Sequence, residues 1–140
     1  MNKTQILKKI QPIFQNNAEV AAVYLFGSQA TQKTHSQSDI DLAIFFERRL
    51  PKLESYKRLE KYFLQLVRIL GTEPDLVDIE QVNLILLCEI LTNGDILLEN
   101  NRDKNRAFVA RKAVECIDFQ FIAEQCVEGM YRKSREIICG

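Results

Sequence analysis

The stretch from Val23 to Ile44, VYLFGSQATQKTHSQSDIDLAI, runs an apolar segment into Gly27-Ser28 and, ten residues later, opens a second apolar segment with Asp39-Ile40-Asp41. On an extended strand alternate side chains share a face. Asp39 and Asp41 therefore point the same way, with Cα atoms roughly 6.6 Å apart at about 3.3 Å per residue, while Ile40 and Leu42 face the core. Two carboxylates so placed are hard oxygen ligands suited to Mg²⁺ or Mn²⁺, which take one or two protein carboxylates and complete their shells with water and phosphate oxygens. Gly27 lets backbone N–H groups approach a phosphate with no Cβ in the way, and the Ser28 hydroxyl is placed to donate to a phosphate oxygen. Each half alone is weak, since Gly-Ser is a common turn and Asp-x-Asp a common solvated strand end. Their spacing across two strands is what points to metal-assisted phosphate chemistry.

The elements that must position these residues follow from the apolar pattern. Val20 to Phe26 is β-branched and aromatic, and its near-continuous hydrophobicity predicts a strand covered on both faces. Asp39 to Phe46 is a second strand, and Asp75 to Glu80 a third. Helical spacing predicts a short helix from about Thr4 to Phe14 and a longer one from about Leu53 to Leu70, with Tyr56, Leu59, Phe63, Leu66, Val67 and Leu70 as its buried stripe and Gly71 as its C-cap. A further helix near Leu84 to Leu91 stops at Asn93-Gly94, and Asp95 to Leu98 is a short edge strand. The region from about Arg102 to Ile138 is one long helix or two stacked ones. Val109, Ala113, Cys116, Phe119, Ala123, Cys126 and Met130 form a heptad-like stripe expected to pack on the sheet. Phe108, Ile117 and Phe121 lie off that stripe and are the residues expected to face a partner.

Composition bounds the function. With 140 residues the chain is expected to form one domain, residues 1–140, with 102–138 as its C-terminal helical segment. Nineteen basic and nineteen acidic side chains cancel, so no global field gathers nucleic acid or an anionic membrane, and any phosphate chemistry is local. Cys88, Cys116, Cys126 and Cys139 form no C-x-x-C pair and are expected to be reduced, mostly buried thiols. The sequence offers no secretory h-region or membrane-spanning run, and a cytoplasmic protein is expected. The lone histidine, His35, leaves no material for a His-based zinc site or a triad needing a second histidine. Arg132, Lys133 and Arg135 read as a solvated helix face.

The pattern G-S-x10-D-x-D resembles the signature of the DNA polymerase beta nucleotidyltransferase superfamily. Size and layout resemble its minimal nucleotidyltransferases, the antitoxin partners of HEPN-domain toxin ribonucleases. The segment PDLVDIEQVNLILLCEILTNGDILLEN extends the likeness, which covers about Val20 to Asn100 and only loosely the terminal helix. The resemblance implies an α/β (α+β) fold, a small mixed sheet with helices on one side, and Mg²⁺-dependent (or Mn²⁺-dependent) use of ATP. Gly27 and Ser28 would sit at the nucleotide phosphates, and Asp39 and Asp41 would hold the metal. Asp75 and Asp78 point to opposite faces of the third strand. Asp75 opens that strand as the family's third acidic residue does, which makes it the third metal ligand or base and leaves Asp78 a helix-entry or surface acid. Many relatives continue G-S-x-A-R-G, whereas this loop reads Gly27-Ser28-Gln29-Ala30-Thr31-Gln32, lacking the arginine and second glycine. Lys33 and His35 read as exposed loop residues.

The implied activity is that of an antitoxin of a type VII-like module, a protein adenylyltransferase transferring AMP from ATP to a tyrosine of a cognate HEPN ribonuclease toxin. The short chain shows no second substrate-binding domain, which favours a protein acceptor. Two alternatives stand beside it: an antitoxin that masks the toxin by complex formation through its long helix, and a small-molecule nucleotidyltransferase.

Overall fold

In a computed structural model describing residues 1–27 and 40–139, except the side chains of residues 131 and 134–139, eight elements follow one another. They are α1 (Lys3–Phe14), β1 (Val20–Phe26), β2 (Asp41–Phe46), α2 (Lys52–Leu70), β3 (Asp75–Asp78), α3 (Leu84–Asn93), β4 (Asp95–Glu99) and α4 (Arg102–Cys139). Helix α1 starts where Asn2 and Gln5 cap each other, side chain to backbone N–H in both directions at 2.9 Å. Helix α2 stops at Gly71, whose φ of 72° is the left-handed C-cap expected there.

The sheet order is β3-β2-β1-β4. β1 pairs antiparallel with both β2 and β4, and β2 pairs parallel with β3, so the sheet is mixed and β4 is an edge strand as expected. Every residue of β1 is buried. Val23 and Leu25 of β1 and Leu42 and Ile44 of β2 face a core completed by Ile6, Ile10 and Phe14 of α1 and by Tyr62, Leu66 and Leu70 of α2. Tyr24, Phe26, Ala43 and Phe45 face a second core with Leu87 and Ile90 of α3 and Phe108 of α4. Helices thus cover both faces. This corrects the one-sided arrangement implied by family likeness and agrees with the continuous hydrophobicity of β1.

Three further expectations need correction. The buried stripe of α2 runs through Ser55, Tyr62, Leu66 and Leu70, while Tyr56 is 66% exposed. Leu66 and Leu70 are buried as expected and Leu59 packs against the core, but Ser55 and Tyr62 join them in place of Tyr56, Ser55 donating to Asp78 and the Tyr62 hydroxyl to Glu19. Phe108, expected off the packed stripe, is buried and stacks on Phe45 with ring centroids 4.4 Å apart. Beyond Cys116 no described side chain of α4 is buried, so only its first turns pack on the sheet, whereas Ile117 and Phe121 are exposed as expected. Finally, Cys88 and Cys116 are joined in a disulfide between α3 and α4, and Cys126 is free and exposed. Their separation of 28 residues gave no sign that the fold sets their Cα atoms 5.5 Å apart.

A buried polar clamp seats α4 on the sheet. The Tyr24 hydroxyl of β1 donates to Asn105, and Asn105 Nδ2 donates to Glu99 of β4 at 2.8 Å. Burial, opposed by the Asn105 hydrogen bond and aided by the Glu99 charge, pushes the Tyr24 hydroxyl up to about 12. Asn105→Leu should leave that hydroxyl buried without a partner and cost about 1–3 kcal/mol, read as a lower urea midpoint at unchanged slope. Glu80 is held above the usual carboxylate range by burial, then by the Asp78 charge, against Arg49, Lys104 and Lys112. The folded state therefore binds this proton more tightly than the unfolded state does. The stability this contributes is present below the unfolded value of 4.5 and lost as pH rises through the folded one. Glu80→Gln should raise the melting temperature at neutral pH, with the gain vanishing near about pH 4.

Candidate active site

The ends of β1, β2 and β3 meet at one corner of the sheet. Phe26 pairs with Asp41, and Asp41 pairs with Asp75 in the parallel ladder. The Asp75 N–H donates to the Ile40 carbonyl at 2.8 Å, which pins the start of β3 to the residue before β2. Residues paired across adjacent strands project to the same face about 4.8 Å apart, so Asp41 and Asp75 stand side by side. Ile40 and Leu42 are buried in the core beneath α1 and α2, which leaves Asp41, half-buried, on the opposite face with Ala43 and Phe45. Asp75 is exposed.

Gly27 closes the corner. Its φ is +73°, a backbone conformation that L side chains rarely adopt, and a Cβ built on it would overlap Asp41 Oδ2 and stand 3.1 Å from Asp41 Cγ. The glycine is thus required twice, by the turn out of β1 and by the Asp41 carboxylate lying against its Cα. Sequence reasoning took Gly94 only as a helix stop. A Cβ there would come within 3.0 Å of the Leu25 carbonyl, so Gly94 also lets the α3–β4 turn close against the end of β1. An Asn-Gly pair shortly before an edge strand was the available signal.

The third strand separates its two acids. Asp78 is 3% exposed, on the face covered by α2. Its Oδ2 accepts from the Ser55 hydroxyl at 2.7 Å and its Oδ1 from the Glu80 N–H at 2.9 Å. It is a buried anchor for α2 and the turn after β3, not a surface acid, and it lies across the sheet from Asp75. Ser28 and Asp39 lie outside the described residues, as do Thr31, Gln32, Lys33 and His35.

Among the described residues no three His, Cys, Asp or Glu side chains gather into a metal site. Asp41 and Asp75 supply two neighbouring carboxylates, and the Asp41 carboxylate lies against the Gly27 Cα, where a Cβ would displace it. That donor set fits a hard divalent cation retaining water and phosphate ligands. No helix of the described residues is long and apolar enough to cross a membrane.

Comparison with known proteins converges on one group. The family model described as "Polymerase beta, Nucleotidyltransferase" matches residues 8–103. The protein adenylyltransferase MntA of Shewanella oneidensis is 27% identical over 103 residues, 74% of this chain and 69% of that protein. A putative protein adenylyltransferase of Methanocaldococcus jannaschii is 35% identical over 74 residues, 52% of this chain and 71% of that protein. Among solved structures, a toxin–antitoxin with AMP-PNP superposes with a TM-score of 0.66 at 22% identity, covering 94% of this chain and 99% of that one. A Shewanella oneidensis complex of tri-AMPylated HEPN toxin with MNT antitoxin gives 0.64 at 21% identity, covering 92% and 98%.

Gly27 and Gly71 share a positive φ, but nothing lies within 4 Å of a Cβ on Gly71. Gly71→Ala should therefore cost only the left-handed strain, about 1–2 kcal/mol, and leave Mn²⁺ affinity unchanged. Gly27→Ala should cost more and weaken Mn²⁺ binding about tenfold or more by displacing Asp41, as read by urea denaturation and calorimetric titration of both variants.

Proposed function

The chain belongs to the polymerase beta nucleotidyltransferase family, and on that premise we propose that it is a cytoplasmic antitoxin of a toxin–antitoxin module, acting as a Mg²⁺-dependent protein adenylyltransferase. Its substrates are ATP and a tyrosine of a cognate HEPN-domain toxin ribonuclease. The observation that carries the reading is Asp41 beside Asp75 at the Gly27 turn, in a chain whose curated relatives are named as protein adenylyltransferases.

The roles divide by position. Gly27 and Ser28 receive the nucleotide phosphates, the first by close backbone approach and the second by its hydroxyl. Asp39, Asp41 and Asp75 would hold the metal, and Asp75, the exposed one of the two described acids, would also take the acceptor proton. Magnesium, when bound, offsets the negative charge of the triphosphate and of the departing pyrophosphate. The tyrosine oxygen bonds to the α-phosphorus, the bond from that phosphorus to the bridging oxygen breaks, and pyrophosphate leaves while the phenolic proton passes to Asp75. Positioning and electrostatics supply most of the acceleration. The anionic adduct left on the toxin blocks RNA phosphate by repulsion and occlusion.

The test is the intact mass of the neighbouring gene's product, the expected HEPN toxin, after incubation with this protein and Mg-ATP. Addition of AMP units is expected, and an unchanged toxin mass would overturn the reading. Asp41→Asn and Asp75→Asn should each slow transfer by about 10³-fold. Asp78→Asn should lower the melting temperature while the folded fraction keeps its rate. If Asp41→Asn instead neutralises the toxin as well as the parent protein does, inhibition is steric and the catalytic reading fails.

A further inference from the structure

Helix α4 is held to the body at its beginning and carries its apolar surface at its far end. Among the described residues Asn105 and Phe108 are its buried ones, and the polar clamp to Tyr24 and Glu99 lies at the same level. Eight residues beyond Phe108, roughly 12 Å along the helix at 1.5 Å per residue, Cys116 is bonded to Cys88 of α3. A groove of about 390 Å³ lies along the junction of the two helices, lined by Ile85, Cys88 and Leu91 of α3 and by Val109, Cys116 and Ile117 of α4. Past the bond, Ile117, Phe121, Ile122, Val127 and Met130 are all more than half exposed. The last fixed point on α4 before this exposed section is thus covalent.

We infer that the Cys88–Cys116 pair is a redox latch that sets how the outer part of α4 is presented. Oxidised, it ties α4 to α3 across the groove. Reduced, α4 is held only through its first turns, and the section from Ile117 onward is released from α3. The chemistry is thiol–disulfide exchange with a low-molecular-weight disulfide. One cysteine thiolate attacks a sulfur of that disulfide, forming a mixed disulfide and releasing one small thiol. The second cysteine thiolate attacks the protein-bound sulfur and releases the other. The protein loses two electrons and two protons, and the small disulfide gains them. Both cysteines are half-buried and so within reach of a small reagent. The inference does not depend on the proposed activity, because it concerns only the attachment of α4.

Cys126 is free and exposed and the sequence holds a fourth cysteine, Cys139, so the test uses the full chain carrying Cys126→Ser and Cys139→Ser. The protein is equilibrated with oxidised or reduced glutathione, digested without reductant and weighed for a peptide joining Cys88 to Cys116. Hydrogen exchange is then followed along α4. The linked peptide is expected in the oxidised sample alone. Reduction should speed exchange over residues 109–130 at least about tenfold while the amides of β1 and β2 stay unchanged. Addition of Cys88→Ser and Cys116→Ser should reproduce the reduced pattern under both conditions. Absence of the linked peptide, or α4 exchange that is the same in both redox states, would overturn the latch.

Discussion

The hydrogen-bonded register that runs from Phe26 through Asp41 to Asp75 decides where the two described acids of the site stand. A shift of one residue would turn each β2 side chain to the other face. Asp41 would enter the core beneath α1 and α2, where an ionised carboxylate without partners is heavily penalised, and Leu42 would surface beside Gly27. The register is held because β2 is apolar on both faces. Leu42 and Ile44 fill one core while Ala43 and Phe45 fill the other, and the small Ala43 has no counterpart of equal size across the sheet. Neither core accepts the other's residues without overpacking or leaving a void.

Polar side chains fix what apolar packing leaves open at the ends of the sheet. Asn100, just after β4, donates through Nδ2 to the Phe14 carbonyl at 2.7 Å and to the Val20 carbonyl at 2.9 Å, and its Oδ1 accepts from the Asn16 N–H. One side chain thereby joins the α1–β1 turn to the end of β4, where Asn16 takes a positive φ of 60°. Asn105 does the same for α4, and Asp78 for α2. Among the described residues no buried side-chain nitrogen or oxygen lacks a partner. Each polar clamp therefore leaves no buried side-chain atom without a partner, and satisfied buried polar groups specify an arrangement rather than weaken it.

Local pattern made most of the elements legible. The apolar run of β1, the Gly71 stop of α2 and the Asn93-Gly94 break each reflect the backbone or solvation demands of a few neighbouring residues. What stayed hidden depends on partners distant in sequence. The face that α2 buries includes Ser55, which meets Asp78, and Tyr62, which meets Glu19, pairs separated by 23 and 43 residues. The Cys88–Cys116 bond is of the same kind. In the site, alternation along β3 was enough to put Asp75 and Asp78 on opposite faces, but only the pairing with β2 tells which face is the one Asp41 occupies. The heptad-like spacing of α4 was real as a pattern. It could not say where along its 38 residues the sheet beneath it ends.

The same corner poses an electrostatic problem whose solution bears on order of binding. Two adjacent carboxylates repel a triphosphate, and a chain with equal numbers of acidic and basic residues has no long-range attraction to offset that repulsion. Asp75 is exposed, so water screens its charge until a ligand covers it. A nucleotide arriving with its divalent cation removes both obstacles at once, because the cation faces the carboxylates and the phosphates face the cation. On the proposed reading the anionic corner thus selects the metal–nucleotide complex over free nucleotide. Gly27 serves this selection by its missing side chain, since the Asp41 carboxylate occupies the place a Cβ would take.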